Sequence, residues 1–352
     1  MAPGSHVAAA LMKILIFGGT GFVGRHIVDA AVHDNHEVTR FNKELSNPRA
    51  FPDVEQIIGS RSKDIRSLLK RHWDAVIDVC GYVPRDVWLT AGRLRRQIPH
   101  YTFISSTAVY RGWDRGPRSE LSATFRAMRG PESTANAYGR CKVACERVVR
   151  HFYPRGSLII RPGLIQGPYD GRFAYWPARI AAGGQIIAPG SPDRLVQLID
   201  ARDLATWIVR LVAARKVGVF NACGPLVSVA KVIHTYRKVI GGDAELTWVS
   251  DSFLKNEGVH PNHLELPLWT PWDDVVNTER AKQRGLVCRP LRKTALDVCN
   301  WISNEGLRWP RHRRQAQDSR RKAVLYAGLS PKRERELLLR WRRGSDMAGP
   351  VS

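Results

Sequence analysis

A glycine-rich segment between an apolar run and a helical pattern constrains this chain most. Residues Gly18 to Gly24 read GGTGFVG, which contains both G-x-x-G-x-x-G and G-x-G-x-x-G. The apolar run Lys13 to Phe17 precedes the segment and indicates a strand buried on both faces of a parallel sheet. Glycines at this point permit a tight turn and let backbone amides approach a pyrophosphate, which the N-terminus of the following helix also attracts. The segment predicts a dinucleotide-binding strand-turn-helix unit; a tight turn without a ligand is the alternative.

Strand and helix patterns continue to alternate through the first 160 residues. Further strands are predicted at 37–39, 54–58, 75–79, 101–105 and 158–160, and helices at 65–69, 87–98 and 138–152. A later strand is predicted at 218–221. Repeated strand-helix-strand units imply a parallel sheet with helices on both faces. We therefore predict an α/β fold, a Rossmann-type doubly wound parallel sheet with a smaller mixed C-terminal substrate lobe.

The texture of the sequence changes after Arg161-Pro162-Gly163, where Gly, Pro and Trp become more frequent. This change predicts a domain boundary. We predict a disordered extension at 1–11, a dinucleotide-binding domain at 12–162, a substrate lobe at 163–300 with a return segment at about 195–224, and a basic helical tail at 301–352.

The chain is strongly basic, with 55 Lys and Arg against 32 Asp and Glu, a formal net charge of +23. Such a surplus is typical of proteins that bind nucleic acid, an anionic membrane or an acidic substrate. The positive charge is spread along the chain, without a compact basic stripe interleaved with aromatic residues. Nucleic-acid binding is therefore predicted to be weak and nonspecific. Apolar residues make up 43% of the chain, which excludes a wholly disordered protein.

The six cysteines are too few and too irregularly spaced for a secreted disulfide framework. Cys141 and Cys145 stand one helical turn apart but have no His or Cys pair nearby, so no metal site is predicted. No window reaches the roughly 18 apolar residues of a membrane span. These features predict a cytoplasmic protein without a membrane segment.

The second strand ends without the acidic residue that binds the ribose hydroxyls of NAD in many such folds. Instead the sequence reads Thr39-Arg40-Phe41-Asn42-Lys43. Arg40 and Lys43 are predicted to meet a 2′-phosphate, which favours NADP over NAD as the cofactor. The alternative is that both are surface cations in a chain with many.

Tyr138 and Lys142 form a Y-x-x-x-K pair, which places both side chains on one face of a helix. The lysine charge is expected to lower the pKa of the tyrosine, so that the phenol exchanges a proton while a hydride moves to or from a nicotinamide. Ser106 follows a predicted strand at the carboxyl edge of the sheet, where its hydroxyl can bind the reacting carbonyl or alcohol. The alternative for Ser106 is a turn or helix-capping residue.

Together these motifs resemble the extended short-chain dehydrogenase/reductase family, in its NAD-dependent epimerase/dehydratase branch, over roughly residues 12–300. The matching segments are Gly18 to Gly24, Ile104 to Tyr110, Tyr138 to Lys142 with Glu146, Arg161-Pro162 with Gly167-Pro168, and Val196 to Leu204. The resemblance implies that Ser106 binds the carbonyl and that Tyr138 is the acid/base. It also implies that Lys142 binds the cofactor ribose and tunes the tyrosine pKa.

Two segments depart from the family pattern. Gly59-Ser60-Arg61 stands where the family often has an acidic residue that holds adenine, and Cys80-Gly81-Tyr82 replaces an alanine-rich loop. The segments Phe41-Asn42-Lys43 and Cys80-Gly81-Tyr82 are more similar to a bacterial reductase/epimerase-like subgroup. Chloroplast stem-loop RNA-binding proteins resemble the same branch, so a Rossmann-type RNA-binding or regulatory protein that keeps the dinucleotide as a structural ligand is the alternative function.

The sequence thus predicts an NAD(P)-dependent oxidoreductase or epimerase that acts on a hydroxyl/carbonyl group of a polar, sugar-nucleotide-like substrate. A homodimer is considered as its assembly, and the loop at about 111–135 is expected to cover the cleft. The predicted cofactor-binding residues are Gly18, Thr20, Gly21, Phe22, Val23, Gly24, Arg40, Lys43, Cys80, Tyr138, Lys142 and Pro162, and the predicted catalytic residues are Ser106, Tyr138 and Lys142. Candidates for the substrate wall are Gln166, Tyr169, Arg172, Tyr175, Trp176, Arg179, Arg194 and Trp207.

Overall fold

Twelve strands lie in the part of the chain that the computed structural model describes, which is residues 11–43, 50–128, 137–260, 265–305 and 327–347. Their bounds are β1 Lys13–Phe17, β2 Glu37–Asn42, β3 Glu55–Ile58, β4 Ala75–Asp78, β5 His100–Ile104, β6 Ser157–Pro162, β7 Leu164–Gln166, β8 Gln185–Pro189, β9 Leu195–Asp200, β10 Gly218–Ala222, β11 Leu226–Ser228 and β12 Glu245–Val249. The predicted extension apart from Leu11, and much of the predicted basic tail, lie outside the described residues.

Seven of these strands form one parallel sheet in the order β10-β6-β5-β4-β1-β2-β3. The α/β fold predicted from the sequence, a Rossmann-type doubly wound sheet, is confirmed. The strand order reverses between β1 and β4, and such a reversal opens a crevice at the carboxyl ends of the strands.

Helices cover both faces of the sheet. Their bounds are α1 Phe22–His33, α2 Pro84–Leu94, α3 Ala137–Phe152, α4 Tyr175–Ala181, α5 Ala201–Ala213, α6 Val229–Ile240, α7 Asp251–Asn256, α8 Glu279–Lys282, α9 Leu291–Glu305 and α10 Pro331–Met347. Along β1, Ile14 and Ile16 pack in the same core as α1 and α5, while Leu15 and Phe17 pack in the core of α2 and α3. This alternation explains why β1 is apolar throughout.

Two predicted helices differ in the structure. The segment predicted at 65–69 is a short 3₁₀ helix, Ile65–Lys70. The helix predicted at 87–98 begins earlier, with Pro84 in its first turn, and ends at Leu94. Pro99 disfavours helical geometry in the residue before it, so the chain leaves the helix before it enters β5.

A second lobe is built around small sheets. One contains β11, β9 and β7, and the other pairs β8 with β12. Buried Trp176, Tyr236 and Trp269 fill its core. Helix α10 packs on this lobe, where the buried Glu334 accepts hydrogen bonds from Arg179 (2.6 Å) and from the amide of Ile187 (3.0 Å). Within the described ranges, the helices are all too short or too polar to cross a lipid bilayer.

Candidate active site

A cleft of about 1140 Å³ opens at the carboxyl edge of the main sheet, between the sheet and the second lobe. Its walls contain most of the residues that the sequence singled out. Those are Gly18, Thr20, Gly21, Phe22, Val23, Gly24, Lys43, Cys80, Ser106, Tyr138, Lys142 and Pro162. The structure therefore brings the glycine-rich segment and the Ser-Tyr-Lys set into one cavity.

The glycine-rich turn needs glycine for two different reasons. Gly18 has a φ of 88°, and a Cβ at Gly24 would lie 2.0 Å from the carbonyl oxygen of Gly18. Gly21 is the N-cap of α1 and has no side chain to cap the first helical amides, and a Cβ there would meet no protein atom within 4 Å. The open space beside Gly21 and the uncapped amides of α1 fit a pyrophosphate.

Arg40 does not reach the cleft, which corrects the prediction that it meets a 2′-phosphate. Its side chain is buried, and its guanidinium donates hydrogen bonds to the carbonyl oxygens of Ala50 (2.7 Å), Phe51 (3.1 Å) and Val54 (3.2 Å). Arg40 holds the loop before β3. Lys43, at the end of β2, is exposed and lines the cleft.

A buried ion pair that the sequence did not predict supports the floor of the cleft. Arg61 donates to both carboxylate oxygens of Asp78, at 2.7 Å and 2.5 Å, and to the sulfur of Cys80 at 3.1 Å. Burial alone would raise the pKa of Asp78, but the Arg61 charge and the hydrogen bonds from Arg61 and Tyr101 hold it below its ordinary value. Since Asp78 also accepts the amide of Cys80 at 3.2 Å, the pair fixes the loop that follows β4.

Lys142 lies almost fully buried beside this loop. Its ammonium nitrogen donates to the carbonyl oxygens of Gly81 (3.0 Å) and Ile104 (2.8 Å). Burial lowers the pKa of Lys142, against the fields of Cys145 and Asp78, which raise it. The two carbonyls fix the ammonium group at the ends of β4 and β5.

Tyr138 and Ser106 meet because α3 packs closely on the turn after β5. A Cβ at Gly139 would lie 2.2 Å from the carbonyl oxygen of Ala108, so only glycine permits this approach. The Ser106 hydroxyl accepts the amide of Ala108 at 3.1 Å, which is the capping role considered as its alternative, and it lies near enough to the Tyr138 phenol to lower the pKa of that group.

The pKa of Tyr138 is shifted opposite to the sequence prediction. Desolvation by the protein atoms around the half-exposed phenol raises it, and the neighbouring Ser106 and the Arg172 charge offset this only in part. The ammonium nitrogen of Lys142 lies 5.8 Å from the centre of the tyrosine ring. Desolvation therefore outweighs the neighbouring charge, and the phenol is protonated at neutral pH.

A second buried ion pair joins Glu146 and Arg161, which both stand in segments that match the family. Arg161 binds both carboxylate oxygens of Glu146, at 2.8 Å and 2.6 Å, and Glu146 accepts the hydroxyl of Ser105 at 2.6 Å. Arg161 also donates to the Tyr110 hydroxyl at 2.9 Å. The network joins β5, β6 and α3 directly beside Ser106, so it fixes the position of the serine.

The substrate end of the cleft differs from the prediction. Of the eight proposed wall residues, Arg172 lines the cleft, and the other seven belong to the core or to structural hydrogen bonds of the second lobe. Tyr175 and Trp176 are buried, Arg179 binds Glu334, Arg194 binds Asp251 and the carbonyl of Thr270, Trp207 packs on Phe220, Tyr169 stacks against Arg25, and Gln166 accepts the Tyr236 hydroxyl. A lobe that must bury its own core uses its aromatic residues there first.

Residues that the sequence did not single out for the substrate wall line the substrate end instead. Thr270, Trp272 and Asp274 come from the segment before α8, and residues 112–114 with Phe125 come from the loop that was expected to cover the cleft. Residues 129–136, the remainder of that loop, lie outside the described residues. No motif marked the 270–274 segment, because its importance depends on where the second lobe folds.

Two known proteins are similar in sequence to part of this chain. The chain is 26% identical over 242 residues to the chloroplast stem-loop binding protein of 41 kDa b from Arabidopsis thaliana, covering 62% of this chain and 60% of the relative. It is 26% identical over 199 residues to the N-acetyl-alpha-D-glucosaminyl-diphospho-ditrans,octacis-undecaprenol 4-epimerase of Escherichia coli O157:H7, covering 51% and 56%. The chain thus spans about 60% or less of each relative's length.

A solved structure shows the same fold. The UDP-glucuronic acid 4-epimerase from Bacillus cereus, in complex with NAD, superposes with a TM-score of 0.66 at 15% identity, covering 83% of this chain and 99% of that chain. The family model described as the NAD dependent epimerase/dehydratase family matches residues 14–88 and 89–223. The chain therefore belongs to the NAD-dependent epimerase/dehydratase family of extended short-chain dehydrogenase/reductase enzymes.

Proposed function

We propose that this enzyme binds a nicotinamide dinucleotide in the cleft and acts as an epimerase or oxidoreductase on a hydroxyl/carbonyl group of a sugar-nucleotide-like substrate. The observation that carries the proposal is the convergence of Ser106, Tyr138 and Lys142 with the glycine-rich turn in one cleft. The Escherichia coli and Bacillus cereus proteins are both named as 4-epimerases of a sugar carried on a diphosphate, and this supports a diphospho-sugar substrate. The carrier is a nucleotide in the Bacillus cereus name and undecaprenol in the Escherichia coli name.

The cofactor would be held mainly by backbone groups. The amides of the turn Gly18 to Gly24 and the N-terminus of α1 suit its pyrophosphate, and Lys142 and Tyr138 suit the ribose next to the nicotinamide. The dinucleotide, when bound, supplies the hydride acceptor or donor that the protein lacks. Cys80 and Pro162 also line the cleft in which the dinucleotide would lie.

The protein's own chemistry is proton transfer and orientation. Ser106 offers a hydroxyl to the substrate oxygen, and Tyr138 donates a proton to it or accepts one from it. Because the phenol of Tyr138 is protonated at neutral pH, it can donate a proton to a substrate carbonyl. Lys142, fixed by two backbone carbonyls, places a positive charge beneath the reacting groups.

We propose NADP rather than NAD as the preferred cofactor. With Arg40 turned away, this preference depends on Lys43, the exposed cation at the end of β2. Ser62, after β3, lines the same end of the cleft and offers a hydroxyl to a phosphate, whereas the Ser60 hydroxyl donates to the Asp64 carboxylate at 3.3 Å. Arg61 is committed to Asp78 and adds no free cation there.

A second candidate function is RNA binding with the dinucleotide as a structural ligand. It is favoured by the name of the Arabidopsis relative and by the net charge of +23. We rank it below the enzyme because the Ser-Tyr-Lys set stands complete in the cleft. Nucleic-acid binding remains predicted to be weak, with Kd on the order of micromolar or weaker at physiological salt, which filter binding tests. The cytoplasmic location and the homodimer remain predictions, for fractionation and sedimentation to test.

The proposed function is tested by incubating the purified protein with UDP-sugars and each dinucleotide. We expect a change of configuration or oxidation state at one sugar carbon, detected by proton NMR, and a change in 340 nm absorbance only if the net reaction is redox. A protein that binds neither NAD(H) nor NADP(H) in calorimetric titration would contradict the proposal.

A further inference from the structure

The substrate end of the cleft holds a carboxylate without a counter-ion. Asp274 lines the cleft, yet among the described residues its side chain makes no hydrogen bond and no ion pair. Its neighbour Asp273, by contrast, accepts the amide of Leu195 at 2.9 Å. The Asp274 side chain is partly buried, but its oxygens open to the cleft, so the carboxylate is free to accept a hydrogen bond from a ligand there.

The order of the strands places Asp274 on the far side of Ser106 from the phosphate end. Across the sheet, β1 leads to the glycine-rich turn, β4 to Cys80, β5 to Ser106, β6 to Gly163 and β10 to Cys223. The Cys223 sulfur would lie 2.6 Å from a Cβ at Gly163, and the charge of Asp274 acts on the Cys223 thiol, raising its pKa after the larger effect of burial. Asp274 therefore lies beyond the catalytic groups, where a substrate and not the dinucleotide would extend.

The backbone around Asp274 is held on both sides. The amide of Asp274 donates to the carbonyl of Leu195 (3.0 Å), and the amide of Val276 donates to the buried side chain of Gln197 (2.7 Å). The carbonyl of Val275 accepts the amide of Arg118 (3.0 Å). The carboxylate is thus presented from a fixed segment, which is the arrangement that gives a recognition group its selectivity.

Charges in the cleft decide which ligand group Asp274 suits. Arg172, the cation at this end, acts on Tyr138 and makes no ion pair with Asp274. Burial raises the pKa of Asp274 to about 6, so the carboxyl group is mainly ionised at neutral pH. An ionised carboxylate in a partly dry site attracts hydrogen-bond donors and repels a second anion.

We propose that Asp274 is a specificity-determining residue that accepts a hydrogen bond from a hydroxyl or ammonium group of the sugar and excludes sugars that carry a carboxylate. The inference rests on the proposed function and deepens it, because it restricts the substrate to neutral or amino sugars and rejects uronic acids.

The test measures binding of UDP, UDP-glucose and UDP-glucuronic acid by calorimetry, in the presence of the preferred dinucleotide. The unmodified protein should bind UDP-glucose at least about tenfold more tightly than UDP-glucuronic acid, the effect of one charge-assisted hydrogen bond. Asp274→Asn should reduce this ratio to within about threefold by tightening UDP-glucuronic acid, while the affinity for UDP stays unchanged. Asp274→Ser should reduce the ratio in the same way. Because Asn and Ser differ in shape but both lack the charge, agreement between the two variants assigns the effect to the lost charge.

Asp273→Asn is the matched control, since it removes an adjacent negative charge that faces Leu195, and it should keep the original ratio. A ratio that is unchanged in Asp274→Asn, or a preference of the unmodified protein for UDP-glucuronic acid, would overturn the role of Asp274 alone. A protein that binds none of the three compounds would overturn the sugar-nucleotide proposal as well, so the two failures are distinguishable.

Discussion

The two ends of the cleft are built differently. At the dinucleotide end, backbone groups of the turn Gly18 to Gly24 form the surface, and the buried charge of Arg61 is matched by Asp78. At the substrate end, side chains from distant segments form the surface, and the Asp274 carboxylate has no hydrogen-bond or ion-pair partner among the described residues. The first end is stabilised before any ligand arrives, whereas the second gives up stability to keep a charge available for recognition.

The largest effect is expected from breaking the buried pair under the dinucleotide end. Arg61→Ala leaves Asp78 as an uncompensated buried charge and should lower the free energy of unfolding by about 3 to 5 kcal/mol. Arg71→Ala, which removes an exposed pair with Glu55, is the control and should cost less than about 1 kcal/mol. Urea unfolding measures both. Equal, small losses in the two variants would show that the buried pair does not stabilise this end.

At the substrate end, by contrast, a substitution is expected to raise the free energy of unfolding. The pKa of Asp274 is about 6 in the folded protein, above its ordinary value, so ionisation disfavours folding as pH rises from about 4 through 6. Asp274→Asn should therefore be more stable than the unmodified protein above pH 6, by no more than about 3 kcal/mol, and the difference should vanish near pH 4. Thermal unfolding across this range measures it. A loss of stability at pH 7.5 would mean that Asp274 has a stabilising partner.

A matched pair of glycine variants separates folding from ligand binding at the dinucleotide end. Gly24→Ala forces a Cβ against the Gly18 carbonyl and should cost about 2 kcal/mol of stability. Gly21→Ala meets no protein atom, so stability should hold while dinucleotide affinity falls about tenfold. Unfolding and calorimetric titration on both variants distinguish the two. Unchanged dinucleotide affinity in Gly21→Ala would remove the pyrophosphate from this turn.

The smallest effect concerns the choice of cofactor. Lys43→Ala should weaken NADP(H) binding about tenfold and leave NAD(H) unchanged, and Lys43→Asp should reverse or flatten the preference. Arg40→Ala should instead destabilise the fold without changing the ratio of the two affinities, because Arg40 binds the loop carbonyls. Tighter binding of NAD(H) than NADP(H) to the unmodified protein would defeat the NADP proposal.

The dinucleotide end of the cleft was also easier to predict from the sequence than the substrate end. The turn at Gly18 and the helix face of Tyr138 and Lys142 depend on local spacing, so their positions in the cleft were predictable. The direction of the Tyr138 pKa shift was not, since it depends on how many protein atoms surround the half-exposed phenol. Local spacing also could not show that Arg40 bends toward residues 50–54.

The substrate end was the least predictable part. Aromatic residues such as Trp176 suit a ligand wall or a core equally well by composition, and only the packed lobe shows that they form the core. Asp274 reaches the cleft because β9 and the loop at Arg118 hold its segment there, through contacts between residues far apart in the chain. A carboxylate is ordinary in sequence and becomes informative only when its lack of a partner is seen.

The most direct test of the central claim, that this cleft performs proton-coupled hydride chemistry, is the turnover of Tyr138→Phe with any UDP-sugar that the unmodified protein converts. Removal of the phenol should lower turnover by at least roughly a hundredfold, the usual effect of losing a general acid. Calorimetry on the same sample should show that dinucleotide binding survives, and Lys142→Met should impair both binding and turnover. Near-normal turnover in Tyr138→Phe, with the fold intact, would contradict the account.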